Sequence, residues 1–353
     1  MPLPKFDSNY RFGPILGDND RLPMLITGIA GVAGYNAFAY FRQKYGNAVI
    51  GQRPKNNWPL SGDGIVGIDL EDRETFKQLL REYNFKTVLN CGGSCALKGC
   101  ELDPAMAQRV NVRGVEVLVE NLKDTDIRFV HLSIDLVYSG ARGGDHLETD
   151  CTDPVTVYGT TMVTAEERIK DHIPDAAILR ISLPMGISFN GHAGAIDWIQ
   201  SRFAKDKPAT LYYDEVRTPV YVECLNEVIE EVLISDASGL FHAGGQRKLS
   251  LYQIAQIVNV VGNYDPDLLQ GCYRIEAGPI PPRAGNVTMD SGKLAQVLGR
   301  KPFVDWPLNP GFVPQGRDWH YRRNGQMLGK DQIVAQLYYR PECSQLSDTS
   351  DKC

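Results

Sequence analysis

The sequence contains no run of about 18 apolar residues of the kind that spans a membrane. Its first 22 residues carry prolines and polar side chains in place of the apolar core of a secretory signal. Basic residues are not in excess either, because 37 lysines and arginines are set against 43 aspartates and glutamates, for a net charge of −6. We therefore expect a soluble cytoplasmic protein that binds neither membranes nor nucleic acid.

Paired C-x-x-C motifs are also missing. Without an export signal, we expect the eight cysteines to be free thiols and not a disulfide framework. Three of them, Cys91, Cys95 and Cys100, crowd into C-G-G-S-C-A-L-K-G-C. This spacing differs from that of structural zinc sites and no histidine lies near it in the sequence, so we expect no metal here. The small residues indicate a loop that passes close to a ligand.

The most informative stretch is Met24–Tyr35, in which apolar residues run directly into three glycines, Gly28, Gly31 and Gly34. This order predicts a strand, a tight turn and a helix that binds a pyrophosphate at its N-terminus. An ordinary glycine-rich turn is the alternative. The expected cofactor contacts in this stretch are Gly28, Ile29, Ala30, Gly31, Val32 and Gly34.

The end of the next predicted strand, Ala48–Gly51, bears on the choice of dinucleotide. An acidic residue at this place binds the adenosine ribose of NAD(H), whereas the sequence here is G-Q-R-P-K and has no acid. Arg53 and Lys55 instead favour the 2′-phosphate of NADP(H). NAD(H) remains the second choice, and a solvated basic loop is the alternative interpretation.

Strand and helix patterns alternate through the following residues, which predicts an α/β fold with a doubly wound parallel (Rossmann) sheet. The predicted elements are a helix over 73–83, a strand over 87–89, a helix over 104–123 and a strand over 127–133. We expect an N-terminal extension (1–22), a dinucleotide-binding domain (23–183 and 219–247), a smaller substrate-binding lobe (184–218 and 248–308) and a C-terminal tail (309–353) with a disordered end.

A series of short motifs resembles a known superfamily. They are T-G-I-A-G-V-A-G at 27–34, Asp69-Leu70, Asn90 with small residues after it, Val110-Asn111, S-I-D-L-V-Y-S-G at 133–140, E-T-D-C-T-D-P at 148–154, Tyr158-Gly159, R-T-P-V-Y-V at 217–222 and P-P-R-A-G-N-V-T-M-D-S-G-K-L at 281–294. Their order is similar to that in extended short-chain dehydrogenases/reductases, most of all the dTDP-4-dehydrorhamnose reductase family. The resemblance implies further cofactor contacts at Asp69, Leu70, Cys91, Gly92, Gly93 and Asn111.

The resemblance also shows where this chain departs from the family. In the family, catalysis rests on a Ser or Thr, a Tyr, and a Lys four residues after the Tyr. Here the tyrosine is Tyr158, the lysine position holds Met162 and the hydroxyl position holds Ile134. Ser133 is one residue away, which on a strand means the opposite face.

A tyrosine without the lysine has a pKa of about 10, so it stays protonated and is a better acid than base. Other side chains are candidates to assist it. The side chains that could reach the site are Lys98, Cys95 and Thr161. Two further residues flank the strand end: Asp135 is expected to anchor loop backbone, and His131 is expected to be a core histidine.

For substrate binding, Arg283 and Arg217 are candidates to hold a diphosphate, because a guanidinium group matches phosphate geometry. Surface or interlobe salt bridges are the alternative. Together with Cys95, Lys98 and Asp135, these two arginines complete the expected substrate site.

Three functions remain open on this basis. The first is an NADP(H)-dependent oxidoreductase acting on a nucleotide-linked sugar, most simply by 4-keto reduction. The second is a catalytically impaired subunit that binds the cofactor or the sugar nucleotide and regulates a partner enzyme. The third is an epimerase or dehydratase of a nucleotide sugar. A homodimer or a complex with a partner enzyme is compatible with each.

Overall fold

A computed structural model describes residues 20–191, 194–322 and 328–339. Within them the strands are β1 (Met24–Thr27), β2 (Val49–Arg53), β3 (Ile65–Gly67), β4 (Thr87–Asn90), β5 (Arg128–Ile134), β6 (Ala177–Ile181), β7 (Pro184–Met185), β8 (Ala209–Tyr212), β9 (Val216–Arg217), β10 (Val220–Tyr221), β11 (Gly239–Ala243), β12 (Leu249–Ser250) and β13 (Leu269–Cys272). The helices are α1 (Val32–Tyr45), α2 (Arg73–Tyr83), α3 (Leu97–Leu102), α4 (Pro104–Ala107), α5 (Gly114–Leu122), α6 (Val157–His172), α7 (Ala195–Phe203), α8 (Val222–Ile234), α9 (Leu251–Val261), α10 (Gly292–Leu298) and α11 (Lys330–Leu337).

The centre of the fold is a seven-stranded sheet with the order β11-β6-β5-β4-β1-β2-β3. All of its neighbouring strands run parallel. This arrangement confirms the predicted doubly wound α/β fold. The chain leaves β1 towards β3 and then returns to place β4 on the other side of β1, so a crevice opens where the carboxyl ends of β1 and β4 meet.

Both faces of the sheet are covered by apolar helix faces. Successive residues of β1 supply the two layers, because Ile26 belongs to one buried cluster and Leu25 to the other. Phe38 of α1 packs in the first cluster, and Phe76 of α2 in the second, each fully buried. Burying a side chain of this size contributes about 1.5–3 kcal/mol, so these layers hold the crevice rigidly.

Short strand pairs form the region that the sequence assigns to the substrate lobe. β8 pairs with β13 in parallel and β9 with β12 in antiparallel orientation. Helix α9 begins after Ser250, whose side chain accepts from the backbone N–H of Gln253 in a capping box. The boundaries between the two lobes remain a prediction.

The long helix expected over 104–123 contains a wider π turn at Gln108–Arg113, between α4 and α5. Such turns insert one residue into a helix and are frequent at functional sites. Asn111 lies in this turn with its side chain buried. The apolar residues Val110, Val115, Leu118 and Leu122 lie mostly three or four apart, so the sequence predicts a regular helix.

The described part of the tail packs on the body of the protein. The indole nitrogen of the fully buried Trp306 donates to the carbonyl of Leu337 at 2.9 Å. The residues 344–353, with their expected disorder, and residues 1–19 of the predicted N-terminal extension (1–22) lie outside the described residues. No helix in the described ranges is long and apolar enough to cross a membrane.

Candidate active site

The glycine turn after β1 has the geometry of a phosphate cradle. Gly28 has φ +69°, and a Cβ on it would lie 2.5 Å from the carbonyl oxygen of Cys91. A Cβ on Gly34 would lie 2.4 Å from the carbonyl oxygen of Gly28, so both positions require glycine for packing. A Cβ on Gly31 would meet nothing closer than 3.7 Å. Gly31 therefore faces open space at the N-terminus of α1, where a pyrophosphate binds in this type of turn.

Because Gly31 has room for a methyl group and Gly34 does not, alanine substitutions at the two positions should have different effects. Gly31→Ala is expected to weaken NAD(P)H binding about tenfold, because its methyl group enters the space expected for the pyrophosphate, while the Tm changes by less than about 2 °C. Titration with NADPH and thermal melts measure both quantities. The control, Gly34→Ala, lowers the Tm because its Cβ collides with backbone. Unchanged NADPH affinity in Gly31→Ala would refute the assignment of the cradle.

A cavity of about 310 Å³ extends from this turn across the carboxyl edge of the sheet. Its walls come from the turn, from the loop after β4, from α6 and from segments that the sequence assigns to the predicted substrate-binding lobe. The residues that line the cavity include Gly31, Val32, Gly34, Cys91, Gly92, Gly93, Cys95, Ile134, Tyr158, Met162, Glu215, Arg217 and Arg283. The fold therefore brings the glycine turn, the tyrosine and both predicted arginines to one space.

Several predicted cofactor contacts lie outside this lining. The side chain of Ile29 is fully buried in the main core, which leaves its backbone as the part that can contact a cofactor. The carboxylate of Asp69 accepts from the backbone N–H of Lys55 at 3.0 Å and holds the loop after β2. Leu70 packs against Gly92 and Gly114. Ala30 is partly buried against the core.

The two predicted cations of the β2 loop have different partners. Arg53 donates to the carbonyl oxygens of Leu60 (2.5 Å), Pro54 (2.9 Å) and Lys55 (3.1 Å). These partners are neutral, so none of them neutralises the positive charge of the guanidinium. The ammonium of Lys55 instead pairs with Asp72 at 2.9 Å, which neutralises it.

Asn111 ties the cysteine loop to α6. Its side-chain oxygen accepts from the backbone N–H of Ser94 at 2.6 Å, and its amide donates to the hydroxyl of Thr161 at 2.9 Å. That hydroxyl in turn donates to the carbonyl of Tyr158 at 2.8 Å. Thr161 is therefore occupied in holding the first turns of α6 and does not replace the missing lysine.

Tyr158 lies in the first turn of α6, where Thr156 caps the helix by accepting from the N–H of Gly159 at 2.9 Å. Met162 follows one turn later on the same face and is 4% exposed. Ile134 faces the same cavity from the end of β5. Two apolar side chains therefore stand where the resemblance expects an ammonium and a hydroxyl.

The surroundings of Tyr158 keep its phenol protonated. Burial raises its pKa above the ordinary value for tyrosine, Cys95 and Asp135 raise it further, and the guanidinium of Arg217 opposes them. A phenol of this kind donates a proton or a hydrogen bond at neutral pH and does not act as a base.

The weak expectation that Ser133 supplies the missing hydroxyl does not hold. Its Oγ donates to the carboxylate of Glu166 at 2.6 Å in the protein interior. Glu166 also binds Arg180 through two bonds of 2.6 and 2.8 Å. Ser133 also lies in the cavity lining, but its hydroxyl is committed to the buried carboxylate of Glu166.

Lys98 and His131 are two further candidates to assist Tyr158. Lys98 is exposed on α3 and lies outside the cavity lining, so it does not substitute for the lysine. His131 is fully buried with its Nδ1 2.8 Å from the amide nitrogen of Asn90, and burial lowers its pKa to about 4. It is a neutral core histidine.

The cysteine loop contributes Cys91 and Cys95 to the cavity lining. Cys95 lines the space beside Tyr158, and desolvation by the cavity walls raises the pKa of its thiol. The thiol of Cys100 donates to the carbonyl of Ser94 at 3.4 Å. In the described ranges no group of three or more His, Cys, Asp or Glu side chains is placed to hold a metal ion.

Asp135 has a different role from the expected one. Its carboxylate forms a two-bond ion pair with Arg217, one bond being 2.6 Å long from Nε. Ser182 donates to the same carboxylate at 2.6 Å. Burial acts to lower the pKa of Arg217. The negative charges of Asp135 and Glu215 outweigh this effect, so the pKa of Arg217 is raised.

Glu215 is a cavity residue that the sequence interpretation missed. Its Oε2 accepts from Nη2 (2.7 Å) and Nε (2.8 Å) of Arg283, and its Oε1 lies 3.6 Å from Nη1 of Arg217. Burial raises the pKa of Glu215, and the two arginines oppose this effect. The sequence feature that points to Glu215 is its spacing of two residues from Arg217, because residues two apart along an extended segment share a face.

Comparisons with known proteins extend over most of the chain. The family described as RmlD substrate binding domain matches residues 22–306. A probable low-salt glycan biosynthesis reductase of Haloferax volcanii is 30% identical over 281 residues, 78% of this chain and 91% of that protein. The methionine adenosyltransferase 2 subunit beta of Xenopus laevis is 23% identical over 320 residues, 84% of this chain and 91% of that protein. The structure of a dTDP-4-dehydrorhamnose reductase from Bacillus anthracis in complex with NADP superposes with a TM-score of 0.69, at 17% identity, over 80% of this chain and 95% of that one.

Proposed function

The chain belongs to the RmlD substrate binding domain family, and from this membership we propose that it is an NADP(H)-dependent reductase of a nucleotide-linked keto sugar. The observation that carries the proposal is a single cavity lined by the phosphate cradle at Gly31, the protonated Tyr158, and the two arginines Arg217 and Arg283. A dinucleotide, a proton donor and a diphosphate clasp are the parts that such a reduction requires.

The residues present fit a dinucleotide. The open face of Gly31 and the N-terminus of α1 would hold the pyrophosphate, and the loop after β4 would border the nicotinamide end. Arg53, whose charge is not neutralised by its carbonyl partners, supports a preference for the 2′-phosphate of NADP(H). When bound, the reduced cofactor supplies a hydride.

The protein's own contribution is to orient the sugar nucleotide and to deliver a proton. Arg217 and Arg283, whose forked N–H groups bind Asp135 and Glu215, supply the positive charge for the diphosphate, which places the sugar towards Tyr158. The Tyr158 hydroxyl donates its proton to the keto oxygen as that oxygen gains negative charge. With Met162 and Ile134 beside it, the phenol lacks the groups that normally assist it. Because acid–base catalysis contributes about 10²–10⁴-fold, slow turnover follows.

A regulatory binding subunit is the second candidate. The apolar side chains of Met162 and Ile134 favour it, as does the similarity to a methionine adenosyltransferase beta subunit. It differs from the first candidate in one measurable respect, since it combines tight NADPH binding with no turnover. An epimerase or dehydratase is disfavoured, because it requires a base and the pKa of Tyr158 is raised.

The proposal is tested by following NADPH oxidation with a panel of nucleotide 4-keto sugars. We expect slow turnover with at least one of them. Arg283→Ala is expected to raise the KM for that sugar about 10–100-fold with little change in NADPH affinity, because charged hydrogen bonds to the diphosphate are lost. Arg300→Ala, a surface arginine paired with Glu231, is the matched control. Tight NADPH binding without turnover on any sugar would favour the regulatory candidate.

A further inference from the structure

Glu215 is a buried carboxylate in the cavity that the proposed reaction does not use. Its side chain is 1% exposed and bridges the two guanidinium groups assigned to the diphosphate, at 2.7 Å from Arg283 and 3.6 Å from Arg217. A negative charge thus already lies where the negative charges of a ligand are expected.

The charges around this point cancel in the free protein. Arg217 and Arg283 carry two positive charges, and Asp135 and Glu215 carry two negative charges when both are ionised. A neutral cluster attracts a diphosphate with two negative charges only weakly, and a carboxylate next to the phosphates repels them. Neutralising one carboxylate leaves the cluster with a net positive charge.

The contacts indicate which carboxylate can give up its charge. Asp135 is fully buried outside the cavity lining and holds two bonds from Arg217 and one from Ser182. Glu215 lines the cavity, and one of its oxygens has only the 3.6 Å contact with Arg217. The groups that face Glu215 are Arg283, Arg217, Asp135 behind Arg217, and Tyr212, over whose ring Arg283 lies at 4.7 Å.

We propose that Glu215 takes up a proton from solvent when the diphosphate of a nucleotide-linked sugar binds at Arg217 and Arg283, so that the affinity for the sugar nucleotide falls as the pH rises. The inference rests on the proposed function, because it requires a diphosphate at these arginines. Burial already raises the pKa of Glu215 in the free protein, and two added negative charges act in the same direction. Between its pKa values in the free and bound states, Glu215 is ionised before binding and neutral afterwards.

The experiment is calorimetric titration of the full chain with dTDP-glucose and with UDP-glucose, at about pH 6 and about pH 8, in buffers with different ionisation enthalpies. Both probes are diphosphate diesters whose charge is constant over this range, so any proton that is taken up goes to the protein. We expect uptake approaching about one proton and an affinity that falls by up to about tenfold per pH unit.

Glu215→Gln retains an oxygen acceptor for Arg283 and removes the charge. This variant is expected to bind about 10–100-fold more tightly at the higher pH and to lose both the proton uptake and the pH dependence. Asp236→Asn, at a fully exposed side chain paired with Arg21, is the control and should behave as the wild type.

Binding without proton uptake, or with the same pH dependence in Glu215→Gln, overturns this inference and leaves the proposed function intact. Absence of binding of either probe to wild type and variant at both pH values overturns the inference and the proposed function together. If Glu215→Gln does not fold, the proton uptake of the wild type decides alone.

Discussion

Replacing Met162 by lysine is expected to raise the rate of NADPH-dependent keto-sugar reduction by about 10²–10⁴-fold, the usual contribution of assisted acid–base catalysis. Met162 lines the cavity one helical turn after Tyr158, and lysine is similarly unbranched. An ammonium group there lowers the pKa of the phenol and stabilises the phenolate that remains after proton donation. Adding Ile134→Thr supplies the missing hydroxyl, so the double variant should be faster still.

The gain is attributable to the ammonium only if matched variants lack it. Met162→Leu keeps an apolar side chain and should behave as the wild type, and Tyr158→Phe combined with Met162→Lys should lose the gain. Thermal melts check that the introduced lysine, which replaces a side chain only 4% exposed, does not unfold the protein. A folded Met162→Lys protein that binds NADPH but is no faster than wild type contradicts the proposed role of Tyr158 and supports the regulatory candidate.

Removing the carboxylate of Glu166 is expected to lower the free energy of unfolding by about 3–5 kcal/mol, the cost of leaving a buried charge uncompensated. Glu166 and Arg180 are 1% and 2% exposed, respectively, and are joined by two bonds. The guanidinium of Arg180 also donates to the hydroxyl of Tyr138 at 2.6 Å. In Glu166→Ala, Arg180 keeps this neutral partner and loses its counter-charge. Urea unfolding measures the difference.

Glu167→Ala is the matched control, since it lies on the same helix with an exposed side chain, and it should change stability by less than about 0.5 kcal/mol. The effect of Glu166→Ala also depends on pH. Burial acts to raise the pKa of Glu166, but Arg180, Lys170 and Ser133 outweigh it and the pKa is lowered. Its stabilisation is therefore present above its unfolded pKa and is lost as the pH falls through the folded value. A loss that is small at neutral pH would contradict this account.

The sheet and the glycine turn are predictable because their signals are local. Four apolar or β-branched residues before Gly28 predict a buried strand, and the spacing of the three glycines predicts the turn. The structure bears out the parallel sheet that these signals imply. The π turn around Asn111 is not predictable in this way, since the contacts of Asn111 are with Ser94 and Thr161, and Thr161 is 50 residues away.

In the candidate site too, the residue types can be read from the sequence, whereas the contacts between distant residues cannot. Residue identity alone predicts that Met162 and Ile134 occupy the places of a lysine and a hydroxyl residue in the resembled family. By contrast, Asp135 and Arg217 are 82 residues apart, and Glu215 and Arg283 are 68 apart. A carboxylate at such a distance has many arginines with which it can pair, and only the folded backbone selects one.

By itself, the sequence determined the fold class, and it predicts the location of the phosphate cradle and the departure of the active site from its family, because each depends on residue types at short spacing. Only the tertiary structure decided that Glu215 bridges the two cavity arginines, that Asp135 holds Arg217 and that Ser133 is bound to Glu166. The physical reason is that the charge state of a buried cluster depends on which distant side chains share the same low-dielectric space, and packing alone establishes that.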